Sequence, residues 1–381
     1  MTAIAEQFSH IVGVDTHART HTYAVIDSVT GRLGAVATFP TTQIGHQRAI
    51  TWIERVTVGP TLAAVECTST YGATLCRALQ GAGIRFTEAR PAKRTERRAG
   101  KSDAIDAEAG ARSVLSIELE NLTQPRDGKT RSALRILLAT RRSLDGRRTA
   151  DRNSLIALLR IIDLGIDVRH TLTAPQLSAV AAWRARPSDD IEHQVARAEA
   201  VRLARSVLTL TVELKENKQR LGDLVATVAP ELLTTVGVGP VSAAVFVTAW
   251  SHPGRVRSEA AFASLAGASP LPASSGNTIR HRLNRQGDRQ LNRALDVVAR
   301  ARLLCDQTTQ DYAARRQSEG KTPREIRRLL KRYIARQVHR ILTKSSRPIA
   351  ASQSTGEPSS DSLLKWGSAD SSEMVSLATV V

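Results

Sequence analysis

The stretch IVGVDTHARTHTYAVID (11–27) decides the fold. Its first part, IVGVDTH (11–17), is a short apolar run rich in Val and Ile, and THTYAVID (20–27) is a second run of that kind. Runs of this length and composition read as strands. Working outward, GAVATF (34–39) gives a third strand, and TLAAVEC (61–67) a fourth that stays apolar until its acidic end. A helix pattern follows at 71–82, with Leu75 and Leu79 four apart, and IRFTEA (84–89) closes the series as a fifth strand. Strands followed by a helix and a further strand predict an α/β domain with a mixed sheet.

Asp15 interrupts the first run as a carboxylate in mid-strand, which is costly unless something pairs with it. Glu66 ends another apolar strand. Beyond a basic, polar stretch at 93–102, Ser102 is a good N-cap for a helix that opens on Asp103, and Asp106 lies on the same face. Sheet ends and a helix start are expected to bring the four acids within reach of one another. Clustered carboxylates repel, and a hard divalent cation, Mg²⁺ or Mn²⁺, resolves the repulsion by taking their oxygens. Two such ions about 4 Å apart stabilise the attacking and leaving oxygens at a phosphate. Taken singly, each acid has a plainer reading: a turn acceptor, an arginine partner, a helix cap. His17 and His21 lie near Asp15 but lack metal-ligand partners at a telling spacing.

From 129 to 228 the chain is helical, with Leu and Arg dense over 131–162, spaced apolar positions over 190–228, and an interruption at 164–189 marked by Gly165, Pro175 and Pro187. The pattern fits a helical hairpin or coiled coil, and equally two core helices of a larger bundle. Residues 231–343 form a second compact, mostly helical unit. In it VGVGP (236–240) looks like a helix-hairpin-helix turn, whose Gly237 and Gly239 let backbone N–H groups approach a phosphate; a plain glycine turn fits as well. PLPASSGN (270–277) precedes a basic stretch with Arg280, Arg282, Arg285 and Arg289. Ser274 or Ser275 beside phosphate-gripping arginines is a candidate nucleophile, although a loop serine is usually only that. A basic amphipathic helix over 323–342 carries an apolar stripe from Ile326 to Ile341, with Arg328 and Arg332 among the cations around it. The Ser-rich 344–381 reads as a disordered tail.

Fifty-four Lys and Arg against 36 Asp and Glu leave a formal charge of +18 in 381 residues, which points to a polyanionic partner. Three cysteines without a CxxC pair predict a reducing compartment and no disulfide framework. The polar start MTAIAEQFSH is not a signal peptide, and no apolar run approaches about 18 residues, so no membrane span is expected. The expected placement is the bacterial cytoplasm, in association with the nucleoid. No P-loop, dinucleotide fingerprint or nucleophile elbow occurs. Aromatics at 3% leave few stacking platforms for single strands.

VGVDTHARTHTYAVID, AAVECTSTYG and GKSDAIDAEAGAR together resemble the DEDD signature of insertion-sequence transposases of the Piv invertase type, and VGVGPVSAAVFVTAW with PLPASSGNTIRHRLNRQGDRQLNRAL resembles that family's serine-bearing second domain. The resemblance covers roughly residues 10–343, in family order. It implies an N-terminal RNase H-like (RuvC-like) domain over 10–128, a coiled-coil insertion over 129–228 and a C-terminal transposase domain over 229–343. It places metal-binding acids at Asp15, Glu66, Asp103 and Asp106 and the catalytic serine in the SSG, with Ser275 favoured over Ser274. It further implies donor and target DNA as substrates, a structured bridge RNA as guide, and a homo-oligomer, dimer or tetramer, in which the acids of one subunit face the serine of another. Two rival readings stand beside the recombinase: a RuvC-like metal-dependent junction nuclease without a covalent intermediate, and a non-catalytic nucleic-acid-binding scaffold.

Overall fold

Strand β1 (His10–Thr16) lies at the centre of a five-stranded sheet. The computed structural model describes residues 3–89, 102–122, 124–126, 128–272, 281–282, 284 and 287–346. After the one-turn helix α1 (Ile4–Gln7) and β1 come β2 (Thr20–Asp27), β3 (Leu33–Pro40), α2 (Gln43–Val56), β4 (Thr61–Val65), α3 (Ala73–Gly81), β5 (Arg85–Glu88) and α4 (Asp103–Leu115). The sheet order is β3-β2-β1-β4-β5. β1–β2 and β2–β3 are antiparallel, and β1–β4 and β4–β5 are parallel, so the predicted mixed sheet is present.

β1, β2 and β4 are buried along almost their whole length because both faces of the sheet are covered. Side chains alternate between the faces. Val12, Val14, Tyr23, Val25, Ala63 and Val65 pack against Ile53 of α2 and Leu75 and Leu79 of α3. Ile11, Ile26, Leu62 and Ala64 pack against Ala111 and Val114 of α4 on the other face. β3 is an edge strand, exposed at every second residue. Helix α2 was not anticipated, although Ala49, Ile53 and Val56 of its run QIGHQRAITWIERV recur at helical spacing and pack on the sheet. Thr42 starts it by accepting from the Gly45 N–H, and only four of its residues are buried.

α5 (Lys129–Ile161) and α7 (Ile191–Val228) pair along their lengths. The pair enters a different core at each end. Near its base, Leu134, Leu137, Leu138, Leu221 and Val225 belong to the core of the C-terminal unit. Far from the base, Leu155 and Leu159 pack with Leu203, Ala204 and Val207 in a separate core. Between these lies a thin seam of Leu144, Leu210 and Leu214. Pro175 does not break the connection as expected: it sits in the first turn of α6 (Ala174–Ala181), where a missing N–H costs nothing, behind a capping box formed by Thr173 and Gln176.

The C-terminal unit contains α8 (Pro230–Leu233), α9 (Pro240–Trp250), α10 (Glu259–Leu265), the strand pair β6 (Leu271–Pro272) and β7 (His281–Arg282), α11 (Arg289–Cys305), α12 (Gln307–Ser318) and α13 (Pro323–Ser345). α9 carries no charge and is buried nearly all round, so the other helices pack about it. α13 presents Ile326, Leu330, Ile334 and Val338 to this core, as its stripe predicts, and Ile341 is partly buried against it. The tail from 347 onward lies outside the described residues. Among the described residues no helix is long and apolar enough to cross a membrane.

Candidate metal centre

Gly13 and Asp15 point to the α4 face of the sheet. A Cβ on Gly13 would stand 1.9 Å from the Ala107 carbonyl oxygen and 2.6 Å from the Ala111 nitrogen, so strand and helix backbones touch there. Two residues onward along β1 is about 6.6 Å, and four residues back along α4 is about 6 Å. Those two steps run the same way and bring Asp15 opposite Asp103.

The residue that joins them is His17. Its Nε2 lies 3.7 Å from Asp15 Oδ2 and 3.7 Å from Asp103 Oδ1. One ligand atom from each of Asp15, His17 and Asp103 falls within 4.8 Å of the others, the one such group of three among the described residues. Asp15 is the buried floor, with a side chain 7% exposed, and His17 and Asp103 form an open rim. Spacing gave no sign of His17, because its partner Asp103 arrives only when α4 folds back across β1.

α4 begins as predicted, with the Ser102 hydroxyl accepting from the Ile105 N–H. Asp103 and Asp106 lie in its first turn, where the helix dipole favours carboxylates. Asp106 is one turn from Asp103 on the same face. Glu66 follows β4 directly. Its N–H donates to the Val14 carbonyl at 3.1 Å, and its own carbonyl accepts from the Thr16 hydroxyl at 3.2 Å. Its backbone is therefore fixed beside Asp15. The chain then reverses through Cys67 at φ 48°, a left-handed conformation rare for a residue with a side chain, and Gly72 packs back over the Glu66 carbonyl. The structure thus brings Asp15 and Asp103 together with His17 and puts Glu66 and Asp106 on the adjoining turns; the latter two are outside the 4.8 Å group.

His21 is not part of this centre. It pairs with Thr16 across β1–β2 and faces α2, where it stacks on His46 with ring centroids 5.5 Å apart. Burial, reinforced by His46, depresses its pKa from 6.5 to about 4, so it is neutral at physiological pH.

Ser274, Ser275, Arg280 and Arg285 lie outside the described residues. The base of their loop is described, and it is pinched. The Asp288 N–H donates to the Leu265 carbonyl at 2.8 Å, and a Cβ on Gly287, at φ 148°, would stand 2.8 Å from the Gly267 nitrogen. Arg282 lies in β7, in register with Leu271. Arg289 is exposed at the start of α11, whose cap is the Asp288 carboxylate. In the VGVGP turn, Gly237 adopts φ 75° and rests on α11, where the buried Arg302 guanidinium donates to the Val236 carbonyl at 2.9 Å. Gly239 is exposed at the start of α9. On α13, Arg328 and Arg332 are exposed, whereas Arg336 and Arg340 each lie 2.8 Å from Glu259 of α10.

Two family models match the chain. One described as Transposase matches residues 12–163, a range that contains all four acids. The other, described as Transposase IS116/IS110/IS902 family, matches residues 229–314, which include the serine loop. No curated protein matches.

Proposed function

We propose, from the premise that the chain carries two IS110-family transposase domains, that it is a bridge-RNA-guided insertion-sequence recombinase. In this reading it cuts and rejoins DNA with a serine nucleophile beside a metal-bound acidic cluster. The observation that carries it is the meeting of Asp15 and Asp103 around His17 at the contact of β1 and α4. The sheet order and the helix laid against β1 support an RNase H-like reading of this domain.

The donor set fits a hard divalent ion, since two carboxylates and an imidazole converge with one carboxylate buried and the rest open to solvent. Asp15, Asp103 and His17 would hold it, with Glu66 and Asp106 on the adjoining turns completing an acidic pocket. Mg²⁺ or Mn²⁺ bound there supplies charge stabilisation at a phosphate. The chain's own residues do the rest. Asp15, fixed in β1, sets the position of the site, and α4 carries Asp103 and Asp106 on one rigid first turn. Ser275, or its neighbour Ser274, attacks the scissile phosphorus; a serine–phosphate bond forms as the bond to the sugar oxygen breaks, and that oxygen takes a proton. Attack by the hydroxyl of a new strand reverses the step and restores a phosphodiester without loss of bond energy. Arg280, Arg282, Arg285 and Arg289 grip the backbone near the serine, with Gly237, Gly239, Arg328 and Arg332 contributing at more distant phosphates.

The test is strand cleavage of a duplex carrying the element's own end, with the flanking RNA present and Mg²⁺ or Mn²⁺ supplied. Asp15→Asn is expected to lower cleavage by about a hundredfold or more. Wild-type protein is expected to leave a DNA-linked band on a denaturing gel that the double substitution Ser274→Ala, Ser275→Ala abolishes. Full cleavage by the serine double variant would replace this reading by the metal-dependent nuclease. Unchanged recombination without any flanking RNA would remove the guide and leave the recombinase.

A further inference from the structure

We propose that the cavity of 140 Å³ between α5, α9 and the start of α11 is a subsite for a backbone phosphate of the DNA strand being processed. Four arginines line it: Arg126, Arg131, Arg135 and Arg142. The last three share one face of α5, at spacings of four and seven residues. The carboxylate among the lining residues is Asp288: one oxygen accepts from the Gln290 and Leu291 N–H groups as the cap of α11, and the other lies 4.0 Å from an Arg126 nitrogen, which leaves one acid against four guanidinium groups. The local balance of charge is therefore strongly positive around a space of phosphate size. Guanidinium groups recognise such an oxyanion through paired N–H donors.

Two of the arginines are held in place. Arg131 is buried, and its Nε donates to the Thr248 carbonyl of α9 at 3.2 Å. Arg135 donates to the Ser69 carbonyl. That bond gives the cavity its meaning. Ser69 belongs to the turn that follows Glu66, and Asp288 stands at the pinched base of the loop that carries Ser274 and Ser275. The cavity thus lies between the acidic turn and the root of the serine loop, and none of its lining residues belongs to the Asp15, His17 and Asp103 group. A strand passing between the two halves of the proposed machinery would place a phosphate there. The assignment to a processed DNA strand rests on the proposed function; the cationic subsite itself does not.

The experiment measures binding, not cutting. Full-length protein carrying Asp15→Asn is titrated into a labelled DNA duplex over a range of salt concentrations. Adding Arg135→Gln and Arg142→Gln, two exposed lining residues, is expected to reduce the slope of log affinity against log salt by roughly one to two, and to weaken binding roughly tenfold at physiological salt. The charge-matched control, Arg169→Gln with Arg202→Gln, removes two exposed arginines that already lie within salt-bridge distance of neighbouring acids, and is expected to change the slope little. Equal slopes for the two double variants would overturn the proposal. So would a loss seen only with an RNA hairpin probe while duplex DNA binding stays intact. If the double variant unfolds, Arg142→Gln alone decides, since that residue is exposed. Should Asp15→Asn prove to cut as well as wild type, the proposed function falls while the slope comparison still stands.

Discussion

Gly13 sets the distance between β1 and α4, and with it the distance between Asp15 and Asp103. A methyl group at this position would overlap the Ala107 carbonyl, which is backbone and has no rotamer to escape into. Gly13→Ala is therefore expected to push α4 off the sheet and cost about 3 kcal/mol, near the upper end for an overpacked core. Denaturant titration reads the stability, and Mn²⁺ binding by calorimetry reads the centre; both should suffer together. A variant with wild-type stability and metal affinity would show that the close contact is not needed. His21 makes a second residue-scale prediction. Its folded pKa of about 4 lies below its ordinary 6.5, so the unfolded chain takes up a proton first as pH falls. The resulting stabilisation is complete above pH 6.5 and is lost progressively toward pH 4, by an amount on the order of 3 kcal/mol. His21→Phe should flatten stability against pH in that window. An unchanged slope would mean that other groups govern acid unfolding.

Elements with strong local signals are legible in the sequence, and elements made by context are not. β1 and β2 follow their apolar runs almost residue for residue, and Ser102 marks α4. α2 is the exception, since Thr42 caps it and Ala49, Ile53 and Val56 stand at helical spacing, whereas α6 escapes because Pro175 in a first turn has the same letter as a helix breaker. The centre divides in the same way. Asp15 is visible as a charge in an apolar run, and Asp103 as a helix start. His17 is set aside in the sequence for want of a partner at a telling spacing, since its link to Asp103 spans 86 positions and exists only after α4 docks on Gly13. The ends of α13 give an element-scale test. The Thr322 hydroxyl accepts from the Glu325 N–H, while the Glu325 carboxylate accepts from the Thr322 N–H at 2.9 Å. Thr322→Ala removes half of this box and should cost about 1 kcal/mol in stability with little effect on strand cleavage. Because α13 packs on α10 and α11, a much larger loss would mean that the cap holds a tertiary contact, not only a helix end.

At the scale of the whole molecule, the acids and the serine loop fall in two separately matched segments, 12–163 and 229–314, joined by the long hairpin of α5 and α7. A site assembled from two segments can be completed within one chain or between two. The oligomer that the family resemblance implies would complete it between two, and that has a measurable consequence. Asp15→Asn protein and Ser274→Ala, Ser275→Ala protein should each be inactive alone. Mixed in equal amounts and allowed to exchange subunits, half of the resulting dimers pair one defect with the other. In a shared-site dimer each of these holds one centre with both parts intact and one with both parts lost, so the DNA-linked band should return to roughly a quarter of the wild-type amount. If each chain completes its own site, every centre in the mixture carries one defect and no band returns. The fraction recovered separates the two arrangements without any knowledge of the target sequence.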